Sequence, residues 1–304
     1  MTESETGLQA RIDSGRSILV VEITPPKGGD PAPLRAAAKR YAGNVHAIGV
    51  SDNRLGVCMS ALAASGVMAA EGVEPILHVV TRDRNRVALV SMFLGAQALG
   101  VRNILCTSGT HQTLGICPAA KSVFDIDSVQ LLDAAAHLAD GSPVCKERFE
   151  GAGPFCLGAV AAPFADPVEL QLMRLAKKVA AGAKFLITQP VYDFERFRTW
   201  WELVVQRGLH EKAAILAGIQ PLLEADTAKA FAASRPSPRV PQAMLDRLSA
   251  AGDRKAQRAA GIETALETIK QISALKGVRG FQIYVEDDDT AGLEILERSG
   301  LEAR

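Results

Sequence analysis

Eight short runs rich in Val, Ile, Leu and Ala recur along the chain, and stretches with helical apolar spacing lie between them. That alternation restricts the fold more than any other feature. The runs Ile18–Ile23, Val45–Val50, Pro75–Val80, Arg102–Thr107, Phe155–Val160, Lys184–Thr188, Ala213–Ile219 and Gly280–Tyr284 read as strands. Near-continuous apolar strands need cover on both faces, as in a parallel sheet wrapped by helices. Helical patterns occupy 32–41, 55–70, 85–99, 127–138, 167–181 and 193–207, with two or three more over 224–275. Eight strand–helix units in 304 residues predict an α/β chain folded as a single-domain (β/α)8 TIM barrel. An open doubly wound sheet is the competitor, but it usually carries a Gly-rich phosphate turn after its first strand. Here the first run ends in Thr24-Pro25-Pro26, and Gly28-Gly29 follow too late for a GxGxxG turn. The barrel is therefore expected over residues 15–304, after a flexible N-terminal segment, 1–14. Arg235-Pro236-Ser237-Pro238-Arg239 reads as a turn between helices and not as a domain linker.

Composition narrows the function. Lys plus Arg and Asp plus Glu number 34 each, so the formal charge is zero, with no electrostatic footprint for nucleic acid or an anionic membrane. No stretch reaches the ~18 uninterrupted apolar residues of a membrane span. Met1–Gly15 carries Glu3, Glu5 and Asp13, unlike a signal peptide. Cys58, Cys106, Cys117, Cys145 and Cys156 form no CxxC pair, which argues against a zinc site or a disulfide framework and for a cytoplasmic chain with reduced thiols.

In a parallel α/β barrel the chemistry sits at the C-terminal ends of the strands. Pro25 and Pro26 donate no backbone hydrogen bond, so the first strand stops there, leaving Glu22 as a carboxylate near that end. The competing reading is a strand-end Glu facing solvent or pairing with a Lys. The other strand ends carry Ser51-Asp52-Asn53, His78 with Thr81, Ser108 to His111, Ala161 to Pro163, Thr188-Gln189, Gln220, and Glu286 to Asp289. No second carboxylate makes a glycosidase pair with Glu22. Asp52, His78 and His111 have no standard metal-ligand spacing, so no metal is expected. Ser108 near His111 lacks the G-x-S-x-G elbow and an orienting acid. The Ser108–Gly115 loop either cradles a phosphate or flavin edge with its amides or is an ordinary long loop. Gln189 offers both a donor and an acceptor, suited to reading a heterocycle or to capping the next helix. From the residues alone, the chain is a small-molecule enzyme of unspecified reaction.

Four segments in order carry a resemblance: Val21-Glu22-Ile23-Thr24-Pro25-Pro26, Ala180-Ala181-Gly182-Ala183, Ile187-Thr188-Gln189-Pro190 and Leu216-Ala217-Gly218-Ile219-Gln220-Pro221. Together they resemble the 5,10-methylenetetrahydrofolate reductase family, over roughly residues 15–302 and in its bacterial, barrel-only form. The resemblance implies flavin-dependent reduction of 5,10-methylenetetrahydrofolate to 5-methyltetrahydrofolate. FAD is the expected cofactor with FMN as the alternative, and NADH is the expected electron donor. Glu22 would be the general acid toward N10, a task that needs a protonated carboxyl. Gln189 would bind the pterin and, in turn, the nicotinamide, and Gln220 joins it as a substrate contact. Ser51, His78 and Gly109 would meet the flavin, and Lys177 and Lys178 its phosphates, unless these lysines form a solvated helix face.

The chain departs from that family at three places. Thr110, within Cys106-Thr107-Ser108-Gly109-Thr110-His111, stands where the family often has an Asp near flavin and pterin, so the resemblance implies a place beside both, with a more easily reduced flavin and a weaker contact to the pterin ring. Ala159-Val160-Ala161-Ala162-Pro163-Phe164 replaces an adenosine-binding segment, which leaves FAD against FMN open. Asp288 replaces an Arg that meets the folate tail; it either repels that tail or is solvated. These departures also suit a member fed by a partner electron-transfer or corrinoid protein, or a non-catalytic subunit of such a complex. The Ala-rich outer helices suit a homo-oligomer.

Overall fold

Period-two alternation along each strand divides the apolar residues between two cores. In the computed structural model, which describes residues 7–54, 56–115, 117–234, 237–285 and 288–301, all eight expected strands form. They are β1 (Ile18–Ile23), β2 (Ala47–Val50), β3 (Pro75–Val80), β4 (Asn103–Thr107), β5 (Cys156–Ala161), β6 (Phe185–Pro190), β7 (Ala214–Ile219) and β8 (Gly280–Val285). Each pairs in parallel with the next, and β8 closes on β1 in the register Val20↔Gln282, Glu22↔Tyr284. The chain is a (β/α)8 barrel.

Ile18, Val20, Ala47, Ile76, Leu105, Cys156, Phe185, Ile187, Ala214 and Leu216 point inward and form the interior core. The alternate residues, among them Leu19, Val21, Ile48, Leu77, Val79, Ile104, Leu157, Leu186 and Ile215, pack outward against the helices. That ring includes α2 (Ala32–Tyr41), α3 (Ala61–Ala70), α4 (Arg86–Ala98), α5 (Ser128–Ala136) with the short α6 (Leu138–Gly141), α7 (Val168–Ala180) and α8 (Phe194–Gln206) with α9 (Leu209–Lys212). Three helices follow β7, α10 (Ala225–Ser234), α11 (Gln242–Ala250) and α12 (Arg254–Ser273), and α13 (Asp289–Ser299) follows β8. Among the described residues no helix is long and apolar enough to cross a membrane.

Three local differences from the expected pattern have physical causes. Residues 8–13, expected within a flexible segment, form helix α1 (Leu8–Asp13). Its first amide donates to both carboxylate oxygens of Glu74, and the fully buried Leu8 joins the interior core from below. Residues 1–6 lie outside the described residues. The helix predicted over 55–70 begins only at Ala61. Asn53 adopts φ 50°, its side-chain oxygen accepts from the Cys58 amide, and Met59 N–H bonds back to Pro26 O, so the chain is turned before it can coil. Helix α13 was not expected, although Asp288 caps it through Thr290 N and Ala291 N.

The register of β6 against β7 shifts between Ile187 and Pro190. Thr188 anchors this bulge: its Oγ1 accepts from Gly218 N at 2.9 Å and its carbonyl accepts from Tyr284 Oη at 3.1 Å. A Cβ on Gly218 would stand 2.6 Å from Thr188 O, so only glycine lets the two strands meet there.

Candidate functional site

The inward rows continue past the apolar core toward the C-terminal ends of the strands, and there they turn polar. Ile18 and Val20 lead to Glu22, Ile76 leads to His78, and Phe185 and Ile187 lead to Gln189. These side chains line a cavity of about 640 Å³ at the end of the barrel where catalysis is built. Ser51, Gly109, Thr110 and Lys178 line it too.

Glu22 is almost fully buried and both its oxygens accept hydrogen bonds. Oε1 takes one from Arg54 Nη1 at 3.1 Å, and Oε2 takes one from Gln282 Nε2 at 2.7 Å. The guanidinium of Arg54 also lies over the Tyr284 ring, 4.6 Å from its centroid, and reaches Gln220 Oε1 at 3.4 Å. Glu22 is thus held inside the barrel by two neighbours, neither of them a lysine.

Opposite Glu22 the wall supplies a cation. Lys178, on the last turn of α7, sends its ammonium into the cavity and donates to Val160 O at 2.6 Å. Burial pulls its pKa down to about 8, so it is a cation that deprotonates in the mildly alkaline range. Lys177 is exposed on α7 and is not among the cavity-lining residues, which separates the two lysines that the sequence treats alike. Gly109 has φ 80°, and a Cβ there would come 2.5 Å from Val80 Cγ1. Arg82 ties three strand ends together: it pairs with Asp83 and donates to Asn53 O at 3.3 Å and Thr110 O at 2.9 Å. Thr110 is thereby fixed through its backbone at the cavity wall.

His78 lies inside the barrel, where burial holds its imidazole below the usual histidine range, and its Nε2 has no hydrogen-bond partner among the described residues. Ser51 is buried with its hydroxyl near Thr24 Oγ1. Gln189 accepts from Ser237 Oγ at 3.5 Å. Gln220 is not among the residues lining this cavity; its Oε1 accepts from Arg54 Nη2 at 3.4 Å.

Asp52, His78 and His111 do not converge as metal ligands. Asp52 is consumed by a two-pronged pair with Arg84, at 2.5 and 3.1 Å, and by the Val80 amide. His111 stacks on Phe124 in the loop after β4 and shares a hydrogen with Thr113. Asp288 does not face the cavity. Its carboxylate caps α13 and pairs with Arg258 at 2.6 Å, and these bonds outweigh its burial and hold its pKa at about 2. Glu286 and Asp287 lie outside the described residues.

Arg54, Gln282, Tyr284 and Arg82 escaped the sequence reading. For Gln282 and Tyr284 the signal was present, because the alternation that turns Glu22 inward also turns every second residue of Gly280–Val285 inward. Arg54 carries no such signal. It acts from an irregular loop, and its reach is decided by side-chain conformation.

A sequence profile described as methylenetetrahydrofolate reductase matches residues 7–300. A Caenorhabditis elegans protein named probable methylenetetrahydrofolate reductase (NADPH) is 25% identical over 250 residues, which is 81% of this chain and 35% of that protein. The Schizosaccharomyces pombe methylenetetrahydrofolate reductase 1 is 28% identical over 234 residues, 75% of this chain and 36% of its own length. The chain therefore spans about a third of the length of these curated relatives. Among solved structures, a Clostridium thermocellum protein that binds two copies of 5-methyl-5,6,7,8-tetrahydrofolic acid superposes with a TM-score of 0.66 at 12% identity, covering 96% of this chain and 97% of that one. At that identity the likeness is one of fold.

Proposed function

The chain belongs to the methylenetetrahydrofolate reductase family, and from that membership we propose that it reduces 5,10-methylenetetrahydrofolate to 5-methyltetrahydrofolate with the help of a bound flavin. The observation that carries the reading is Glu22, a buried carboxylate on an interior strand, facing a cavity of about 640 Å³. The tetrahydrofolate held by the Clostridium thermocellum protein supports a folate as the substrate class.

The cavity residues fit a flavin. The Nε2 of the buried His78, unpaired among the described residues, offers a ring-edge contact, the Gly109 backbone allows close approach, and Lys178 supplies a cation for a phosphate. Ser51 and Thr110 would complete its surroundings, with FAD ahead of FMN. When bound there, the reduced flavin supplies the hydride that the methylene carbon accepts.

Glu22 gives its proton to N10 of the folate, and the bond from N10 to the methylene carbon breaks, leaving an N5 iminium ready for reduction. Gln282 holds the carboxyl in place through Oε2 during that transfer. Gln189, aimed by the β6 bulge, reads the pterin edge through its amide.

The electron donor is a nicotinamide nucleotide, NADH on the sequence reading, whereas the worm relative is named for NADPH. A second reading, electrons delivered by a partner protein, is favoured by Val57 and Leu114. These apolar side chains line the cavity yet are 67% and 62% exposed, a surface a docking partner would cover.

The deciding experiment is the visible spectrum of the purified protein before and after anaerobic NADH, then after 5,10-methylenetetrahydrofolate. A flavin spectrum that bleaches and then returns supports the reductase. A flavin that ignores NADH but is reduced by 5-methyltetrahydrofolate supports the partner-fed reading. A colourless protein that takes up no added FAD or FMN overturns both.

A further inference from the structure

Resting on the reading of Gln189 as a folate contact and deepening it, we propose that Thr188 is the positioning residue for that amide, through a hydroxyl that stands in for a backbone group between β6 and β7. The need arises at Pro190, which has no N–H to give to the neighbouring strand. Ile187 pairs with Leu216 and Pro190 with Gly218, so Thr188 and Gln189 together stand against Ala217 alone. The next amide, Val191 N–H, donates to Gly218 O at 2.9 Å.

Inside the bulge a single hydroxyl serves two backbone groups. Thr188 Oγ1 accepts from Gly218 N–H at 2.9 Å and donates its own proton to Gln189 O at 2.8 Å. An amide N–H only donates and a carbonyl only accepts, so both directions are fixed. The side chain is fully buried, and its β-branch restricts χ1, which keeps Oγ1 in one place. The Thr188 carbonyl accepts from Tyr284 Oη, which ties the bulge to β8 as well. Gly218 completes the clamp, since a Cβ there would stand 2.6 Å from Thr188 O and 3.0 Å from Gln189 O.

The bulge matters because the Gln189 amide is loosely held at its head. It lines the cavity, and among the described residues its hydrogen bond is a long one, from Ser237 Oγ at 3.5 Å. Such a side chain points where its backbone sends it, and that backbone is pinned through Gln189 O to Thr188. Loss of the hydroxyl releases Gln189 O and Gly218 N–H together, so the aim of the amide changes with no change in its chemistry.

The test is calorimetric binding of 5-methyltetrahydrofolate, without oxygen, to the full chain saturated with reduced FAD, so that no flavin reaction adds to the binding heat. It compares wild type, Thr188→Val, Thr188→Ser, Gln189→Ala and the double variant Thr188→Val/Gln189→Ala. Thr188→Val keeps the branched shape and loses the hydroxyl, and it should weaken binding by about threefold to tenfold. Thr188→Ser keeps the hydroxyl and should bind within about twofold of wild type. In the Gln189→Ala background, Thr188→Val should change the affinity by less than about twofold, because the amide through which it acts is gone. Thr188→Cys, with a weaker donor and acceptor, replaces the Val variant should that one not fold, with the same direction of loss and the same dependence on Gln189. Wild-type affinity in the Val or Cys variant overturns the proposal. An equal loss in the Ser variant does so too, as does an undiminished loss in the Gln189→Ala background. If Gln189→Ala binds as tightly as wild type, the positioning role falls while the folate reading stands. If wild type itself does not bind 5-methyltetrahydrofolate, the folate reading falls and takes the role of Thr188 with it.

Discussion

Gln282 and Glu22 meet across the seam that closes the barrel, where the amide nitrogen of Gln282 donates to Glu22 Oε2 at 2.7 Å from the neighbouring strand. Gln282 is fully buried and brings no charge, so it orients the carboxyl without taking or giving a proton. A reacting group misplaced by about 1 Å loses on the order of a hundredfold in rate. Gln282→Leu should therefore lower kcat by about tenfold to a hundredfold while KM for the folate changes much less. Gln282→His, which retains a donor on the ring, should recover part of the loss. Steady-state kinetics with the folate as variable substrate checks this, and an unchanged kcat in the Leu variant removes the positioning role.

Replacing the proposed acid should separate the two halves of the proposed reaction. Glu22→Gln keeps the volume and the hydrogen bond to Gln282 but has no acidic proton for N10. Its folate-dependent turnover should fall by about two to four orders of magnitude, while reduction of the bound flavin by NADH proceeds at nearly the wild-type rate. Stopped-flow spectra of each half-reaction distinguish them. Equal loss in both would mean that Glu22 supports the site without serving as the acid.

If Lys178 meets the cofactor phosphates as proposed, it should set a pH limit on cofactor binding. Burial pulls its pKa down to about 8, so below that pH it is a cation inside the cavity, and above it a neutral amine. Affinity for the anionic phosphates of FAD should consequently be highest below about pH 8. It should fall by up to about tenfold per unit above that, until the complex also loses the proton. Lys178→Arg keeps its charge throughout this range and should give a flat profile. Fluorescence titration of FAD between about pH 7 and 9.5 provides the measurement. Parallel wild-type and Lys178→Arg curves would show that Lys178 does not face the phosphates.

How much of this site was legible depends on which physical signal each residue left. Glu22 was legible because a proline pair ends its strand and an inward row leads to it. His78 was legible as a polar residue inside an apolar strand, although its inward direction required the barrel to be built. Lys177 and Lys178 are adjacent, with the same chemistry, and only the rotation of α7 about its axis decides which enters the cavity. Asp288 was misleading in isolation because its partner, Arg258, lies 30 residues away on α12. Arg54 was out of reach for a different reason. Its partners Glu22, Gln220 and Tyr284 sit on or beside three other strands, and the sequence holds no record of where a flexible side chain will lie.

The interior of the barrel also predicts an instability that has nothing to do with chemistry. Gly158 and Phe185 are partners in the register of β5 and β6, and both point into the barrel. The Phe185 ring is fully buried and fills the place beside Gly158. A Cβ there would come 2.3 Å from two of the ring carbons. Parallel barrels fill their axis with side chains in layers, so a large residue on one strand requires a small one on its neighbour. Gly158→Ala must therefore push the ring into Ile187, Leu216 and the other residues of the same core, which have little space to give. Overpacking of this kind should lower stability by ~1–3 kcal/mol, seen as a fall in urea midpoint with an unchanged slope. Pairing it with Phe185→Leu, which shortens the neighbour, should restore part of the loss, so the double variant should be more stable than the two single effects added together. Simple additivity of the two changes would show that the ring and the glycine do not share one space.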